Sequence, residues 1–360
     1  MGSPREELET PCLLVDLDRM ERNLARMADF FRGKATKLRP HAKTHRSPFI
    51  AHQQLALGAI GITCAKLGEA EVMIEAGIRD ILIANEIVDP AKMARLAGMA
   101  RRADLMVAVD NPRNVEDLSA AAQAQGCRIR VLVEVDLGMN RCGVPPGEPA
   151  LELAKVVKAR RGLEFMGLMG YEGHAVLKPS PEERSALAKE AAGKLVDTRR
   201  LLERSGVEVH IVSAGGTGTY ATTGVSPGIT EIQAGTYVFS DAKRVQIGVE
   251  FEPALSVLTT VISRPKRARV ILDGGLKSIT QDLGPPIFKG FPNLTFVGLK
   301  AEHLLADLGE APDVDLHVGD KVEVIPSYGD TTINLHEIYV GLRRGKVERT
   351  WPVAARGRSD

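Results

Sequence analysis

Between residues 37 and 239, eight short β-rich runs alternate with stretches of helical periodicity, and this alternation most limits the folds open to the chain. The runs are KLRPHAK (37–43), IGITCA (60–65), DILIAN (80–85), LMVAVD (105–110), RIRVLVEVD (128–136), EFMGLMG (164–170), EVHIVSAG (208–215) and EIQAGTYVF (231–239). Segments between them, such as SPFIAHQQLALG and LGEAEVMIEAG, space apolar residues by three and four and end in glycine, as helices do. Several runs are apolar at nearly every position, the pattern of strands buried on both faces. Eight such units are the closure number of a parallel barrel. The predicted class is therefore α/β, with a (β/α)8 TIM-type barrel over residues 20–248. An open doubly wound sheet is the alternative, but no GxGxxG follows the first strand.

Past residue 250 the rhythm changes. ALSVLTTVISR, ARVILDGG, LTFVGLK, DKVEVIPS and IYVGLRRGKVERTWPV follow one another with turns and few helical stretches. They predict a mostly antiparallel β domain over residues 249–360, which PCLLVDL (11–17), within residues 1–19, could join. Lys and Arg number 47 against 46 Asp and Glu, so the basic excess of a nucleic-acid or anionic-membrane partner is missing. No run approaches the roughly 20 apolar residues of a membrane helix, and the polar N-terminus lacks a signal-peptide core. Cys12, Cys64, Cys127 and Cys142 are too scattered for a disulfide framework and read as free thiols. A cytoplasmic protein is expected.

Active sites of such barrels lie at the C-terminal ends of the strands. That rule gathers Lys43 after the first run, Asp136, Asn140 and Arg141 after the fifth, and Tyr171, Glu172 and His174 after the sixth. The loop SAGGTGT (213–219) follows the seventh, and Gly235, Thr236 and Tyr237 lie in the eighth. Glycines and hydroxyls in SAGGTGT can surround a phosphate with backbone N–H groups. A lysine and a phosphate cradle on one rim suggest pyridoxal 5'-phosphate, which needs an amine for its Schiff base. Crowding by Arg39, His41 and His45 would disfavour the Lys43 ammonium. Pattern alone leaves open the other reading, a solvated surface lysine.

The segments TPCLLVDLDRMERNLARM, RPHAKTHRSP, GITCAKLGEAEVMIEAGI and DILIANEIV resemble the D-threonine aldolase and eukaryotic-type D-serine dehydratase family, which has the alanine-racemase-like fold type III. The resemblance runs through nearly the whole chain. It implies that Lys43 is the Schiff-base lysine. EVDLGMNRCGV resembles the racemase segment whose arginine, here Arg141, contacts the cofactor's phenolic oxygen. EIQAGTYVF resembles the segment in which an arginine faces the pyridine nitrogen; Gln233 stands there instead, which argues against a plain alanine racemase. The implied cofactor set is Lys43, Arg141, Tyr171, Ser213, Gly215, Gly216, Thr217, Gln233, Gly235, Thr236 and Tyr237. His174, in GYEGH, is the candidate base for a substrate hydroxyl, since histidine titrates near neutral pH.

The family also implies a C-terminal metal site, a histidine followed two residues later by Cys or Asp. Here PSYGDTTINLH (326–336) has Asp330 in the carboxylate position but Tyr328 where the histidine is expected. Asp330 with His303 is the ligand set expected, for Mg²⁺ or Mn²⁺. His336 is the other candidate replacement. His52, His210, His317 and Trp351 read as structural. The activity implied is a retro-aldol lyase acting on β-hydroxy-D-amino acids as a homodimer. The rivals are a D-serine- or 3-hydroxyaspartate-type dehydratase, a racemase, and a non-catalytic cofactor carrier.

Overall fold

Strand β1 (Cys12–Asp16) opens the chain, and eight parallel strands follow: β2 (Lys37–Leu38), β3 (Ile62–Cys64), β4 (Asp80–Glu86), β5 (Asp104–Val109), β6 (Ile129–Glu134), β7 (Leu163–Met169), β8 (Ile211–Ala214) and β9 (Glu231–Ile232). The computed structural model describes residues 2–309 and 316–360. Strands β2 to β9 form one sheet in the order β2-β9-β8-β7-β6-β5-β4-β3. A parallel bridge between His41 and Thr63 links the two ends and closes the ring. Its hydrogen bonds run from Ala42 N–H to the Thr63 carbonyl, 2.7 Å, and from Thr63 N–H to the Pro40 carbonyl, 2.8 Å. The (β/α)8 expectation holds, with shorter strands than the runs predicted. Pro40 has no N–H to donate, so β2 ends at Leu38 and Lys43 stands in a turn rather than on a strand. The eighth run is likewise strand only at Glu231 and Ile232; Thr236–Val238 is a single 3₁₀ turn.

By Cα clustering the chain forms two compact units. The barrel unit comprises residues 27–43, 47–235 and 358–360. Side chains alternate across a strand, so on β6 Arg130, Leu132 and Glu134 share one face. Leu132 belongs to a buried cluster with Leu82, Met106, Ala108 and Met169. Below that apolar layer lies an ionic one. Arg39 is only 2% exposed. Its Nε donates to both oxygens of Glu231, each at 3.1 Å, and its Nη1 donates to Asp80 Oδ1 at 2.7 Å. Arg130 Nη2 shares that Asp80 oxygen at 3.0 Å. Burial alone would push the guanidinium towards neutrality, but Glu231 and Asp80 outweigh it and hold Arg39 charged. A Cβ on Gly61 would overlap Arg39 Nη1 and come within 2.7 Å of the Asp80 carbonyl, so only glycine fits there. The Arg39 charge is thus neutralised inside the barrel, which removes it from the expected crowding of Lys43.

The second unit comprises the segment up to Arg26, residues 44–46 and residues 236–357. Its strands are β10 (Leu255–Ser263), β11 (Arg269–Leu272), β12 (Ile287–Phe288), β13 (Thr295–Leu299), β14 (Leu304–Asp307), β15 (Lys321–Ile325), β16 (Ile338–Arg343) and β17 (Lys346–Pro352). Every pairing among them is antiparallel, and β1 inserts between β10, antiparallel, and β16, parallel. PCLLVDL therefore joins this sheet, as its sequence allowed. Leu13, Leu14 and Val15 are buried there. Trp351 packs, stacking on Tyr339 with ring centres 5.0 Å apart.

Removing one partner of a buried ion pair strands the other charge. Arg39→Met is expected to destabilise the protein by about 3–5 kcal/mol. Arg39→Met with Glu231→Leu should recover most of that. Urea denaturation of the single and double variants measures both; equal losses would show that the pairing is not what matters.

Candidate active site

Lys43 is partly buried in the turn after β2, its backbone N–H donating to His41 Nδ1 at 3.4 Å. Among the described residues no carboxylate forms an ion pair with its amine. Past β9, Gln233 Nε2 donates to Ser213 Oγ at 2.8 Å, joining the ends of β9 and β8. Past β6, the half-exposed Arg141 lies with its guanidinium carbon 5.7 Å from the centre of the Tyr171 ring. Tyr171 has room because its neighbours are glycines. A Cβ on Gly173 would approach its ring to 2.6 Å, and one on Gly216 to 3.2 Å.

His174 lies on the short helix Gly173–Val176. Its imidazole passes over Gly138, 3.4 Å from where a Cβ would stand. Its Nδ1 is buried with no hydrogen-bond partner. Asp136 sits nearby and is pulled below the usual range for a carboxyl: burial opposes ionisation, but the amides of Gly138, Asn140 and Met139 and the His174 charge outweigh it.

The glycine loop is held by a residue that sequence reasoning assigned no role. Glu172 is 1% exposed. It accepts hydrogen bonds from the Gly215 N–H at 3.1 Å and from the hydroxyls of Thr219 and Thr223, each at 2.7 Å. Gly216 N–H donates to Thr219 Oγ1 at 3.1 Å. Two amides expected to face a phosphate are therefore engaged within the loop. Thr217 is buried, and Gly215 adopts φ +80°, which a larger residue would resist. Gly235 closes the barrel unit.

A second overlooked group is acidic. Glu134 ends β6, 4% exposed. Glu86 ends β4 after a register shift past Ile83, the kind of irregularity that re-aims a side chain. Burial drives the Glu134 carboxyl well above the usual range, and the charge and hydrogen bonding of Glu86 push it further. Arg141, 3.9 Å away, pulls it down and Asp110 pushes it up, both more weakly. Cys142 faces the same two glutamates, and its thiol is pushed up to about 11, chiefly by burial. Glu134 thus keeps its proton at neutral pH. Neither residue was legible as special, because glutamate at a strand end is ordinary and their meeting depends on the barrel.

Thr236, Tyr237, His303 and Asp330 belong to the other unit. Tyr237 is buried against Phe251, ring centres 5.7 Å apart. Tyr328 Oη donates to Asp330 Oδ2 at 2.9 Å. Arg244 lies over the Tyr328 ring at 5.2 Å, and its Nη1 pairs with Asp241 Oδ2 at 2.7 Å. Asp241, fully buried, is pushed up to about 6 by desolvation despite Arg244. His303 is exposed, beside a Glu302 that pairs with Lys277. His336 Nε2 lies 2.8 Å from the Ser278 carbonyl, and burial holds its imidazole neutral. Among the described residues no three His, Cys, Asp or Glu are grouped to hold a metal.

A raised carboxyl pKa destabilises the fold as pH rises above the unfolded value, because the native state then binds more protons than the unfolded one. Wild-type stability should fall as pH climbs from near 4.5 towards the higher folded pKa of Glu134, by up to about 1.4 kcal/mol per pH unit. Glu134→Gln should flatten that slope in urea melts. An unchanged slope would remove Glu134 as its source.

Comparison with known proteins follows this geometry. Residues 15–243 match the family model described as alanine racemase, N-terminal domain, and residues 254–342 match a putative serine dehydratase domain. The chain is 41% identical to a D-threonine aldolase of Arthrobacter sp, over 99% of this chain and 95% of that one. It is 38% identical to the 3-hydroxy-D-aspartate aldolase of Paracoccus denitrificans (strain Pd 1222), covering 99% and 94%. The solved D-threonine aldolase of Filomicrobium marinum superposes with a TM-score of 0.95 at 40% identity, covering 99% of this chain and 98% of that one. The chain therefore belongs to the alanine-racemase-like family, in the branch that joins the racemase N-terminal domain to a D-serine dehydratase domain and includes the D-threonine and 3-hydroxy-D-aspartate aldolases.

Proposed function

We propose that the protein is a pyridoxal-phosphate-dependent lyase that cleaves β-hydroxy-D-amino acids by retro-aldol reaction, with D-threonine to glycine and acetaldehyde as the model case. The observation that carries this is the Lys43 amine: partly buried, at the mouth of a family-matched barrel, and paired with no carboxylate among the described residues. An amine so placed is available to an aldehyde rather than neutralised by a salt bridge. The residues around it fit the cofactor. Glycines 216 and 218 keep the loop clear, since a Cβ on Gly218 would overlap the Val176 carbonyl and one on Gly216 would press on Tyr171.

When bound, the cofactor supplies the electron sink for the pair released at Cα. The chain's own residues do the rest. Lys43 would hold the cofactor covalently. Arg141, braced by Tyr171 and Glu134, offers its guanidinium to a ring oxygen. Gln233, pinned by Ser213, puts a neutral amide where it neither charges the ring nitrogen nor forbids its protonation. Ser213, Gly215, Gly216, Thr217, Gly235, Thr236 and Tyr237 complete the proposed cofactor set. His174 takes the proton of the substrate β-hydroxyl as the Cα–Cβ bond opens to the aldehyde; its Nδ1 is committed to no other group. Among the described residues no helix is long and apolar enough to cross a membrane. The reading includes a cytoplasmic homodimer, testable by sedimentation under assay conditions.

Purified protein supplied with the cofactor should convert D-threonine or 3-hydroxy-D-aspartate to glycine and an aldehyde. A ketoacid and ammonia would make it a dehydratase instead. Lys43→Ala should abolish both activity and the near-ultraviolet band of the bound cofactor. His174→Asn should keep that band and lower kcat by about 10²–10⁴, the usual weight of a general base.

A further inference from the structure

The lyase branch implies a metal-binding histidine and carboxylate two residues apart, and this chain carries Tyr328 and Asp330 there. The side chains around them do not fit a divalent ion. A neutral phenol is a poor ligand beside imidazole, carboxylate or thiolate. Tyr328 moreover spends its hydroxyl on Asp330 Oδ2, at 2.9 Å. A fixed cation already stands behind it: Arg244, 5.2 Å from the Tyr328 ring and anchored to the fully buried Asp241. Of the two candidate replacements for the histidine, His336 has its Nε2 against the Ser278 carbonyl and His303 is exposed.

Asp330 Oδ1 is buried without a hydrogen-bond partner, so the Tyr328 phenol serves the other carboxylate oxygen alone.

We infer that Tyr328 has replaced the ion in this chain: its hydroxyl takes the Asp330 oxygen that a metal would use, and catalysis needs no divalent cation. The inference about catalysis rests on the lyase reading above; the inference about binding does not.

Calorimetric titration of the cofactor-loaded protein with MnCl₂, MgCl₂ and ZnCl₂, together with metal analysis of the purified chain, tests this. The expected result is no stoichiometric ion in the wild type and undiminished lyase activity after exhaustive EDTA treatment. Y328H should gain one Mn²⁺ or Zn²⁺ per chain, at least tenfold tighter than wild type, and Y328H with D330A should lose it. One ion bound per wild-type chain and removed by D330A would overturn the proposal. So would EDTA inactivation reversed by Mn²⁺, or a folded Y328H that still binds nothing. If the wild type cleaves none of the β-hydroxy-D-amino acids, the lyase reading fails, and the titrations still decide whether Tyr328 excludes the ion.

Discussion

The barrel depends on one buried cation. Arg39 follows the shortest stretch of barrel strand, at the seam where the first and last strands meet, and ties Glu231 of β9 to Asp80 of β4. Backbone hydrogen bonds run past the two-residue strands β2 and β9, from the N–H groups of Lys37, Arg39 and His41 to the carbonyls of Thr230, Ile232 and Ala234, and the Arg39 side chain adds to them. A guanidinium suits the task because its fixed fork can serve two carboxylates at once. The cost is specificity: the residue opposite must be Gly61, since a methyl group would occupy the guanidinium's place. With the Arg39 charge absorbed below, the turn at Lys43 above it is relieved of that neighbour.

The rim shows the same economy of charge. Glu172 gathers the glycine loop by accepting three hydrogen bonds while fully enclosed. The loop's shape is therefore set by an acid on the preceding strand's end rather than by its own glycines alone. Glu134 makes the opposite use of burial, retaining its proton beside Arg141. Arg141 thus stands next to a carboxyl that does not fully neutralise it. That leaves cationic character for whatever anionic oxygen the guanidinium meets.

In the other unit, the exchange of one ligand residue changes the chemistry of a whole cluster. Tyr328 donates to Asp330 and lies against Arg244, which pairs in turn with the buried Asp241.

The chain's periodicity determined the eight-unit barrel, the antiparallel second sheet, the place of PCLLVDL and the rim on which the candidate residues gather. Those features are local: strand alternation, helix spacing and the position of a residue relative to its strand are written within a few neighbours. Lys43, Arg141 and His174 stood out as candidates because their segments resemble known ones, and Tyr328 because it departs from them. Strand lengths were not legible, since the turn at Lys43 and the 3₁₀ turn at Thr236 interrupt runs that β-propensity alone would continue. Nor were the partners of Arg39, Glu134 and Glu172, which lie 43 or more residues away or on another strand. Tertiary structure alone decided these, because a buried charge takes its meaning from the groups that the fold carries to it.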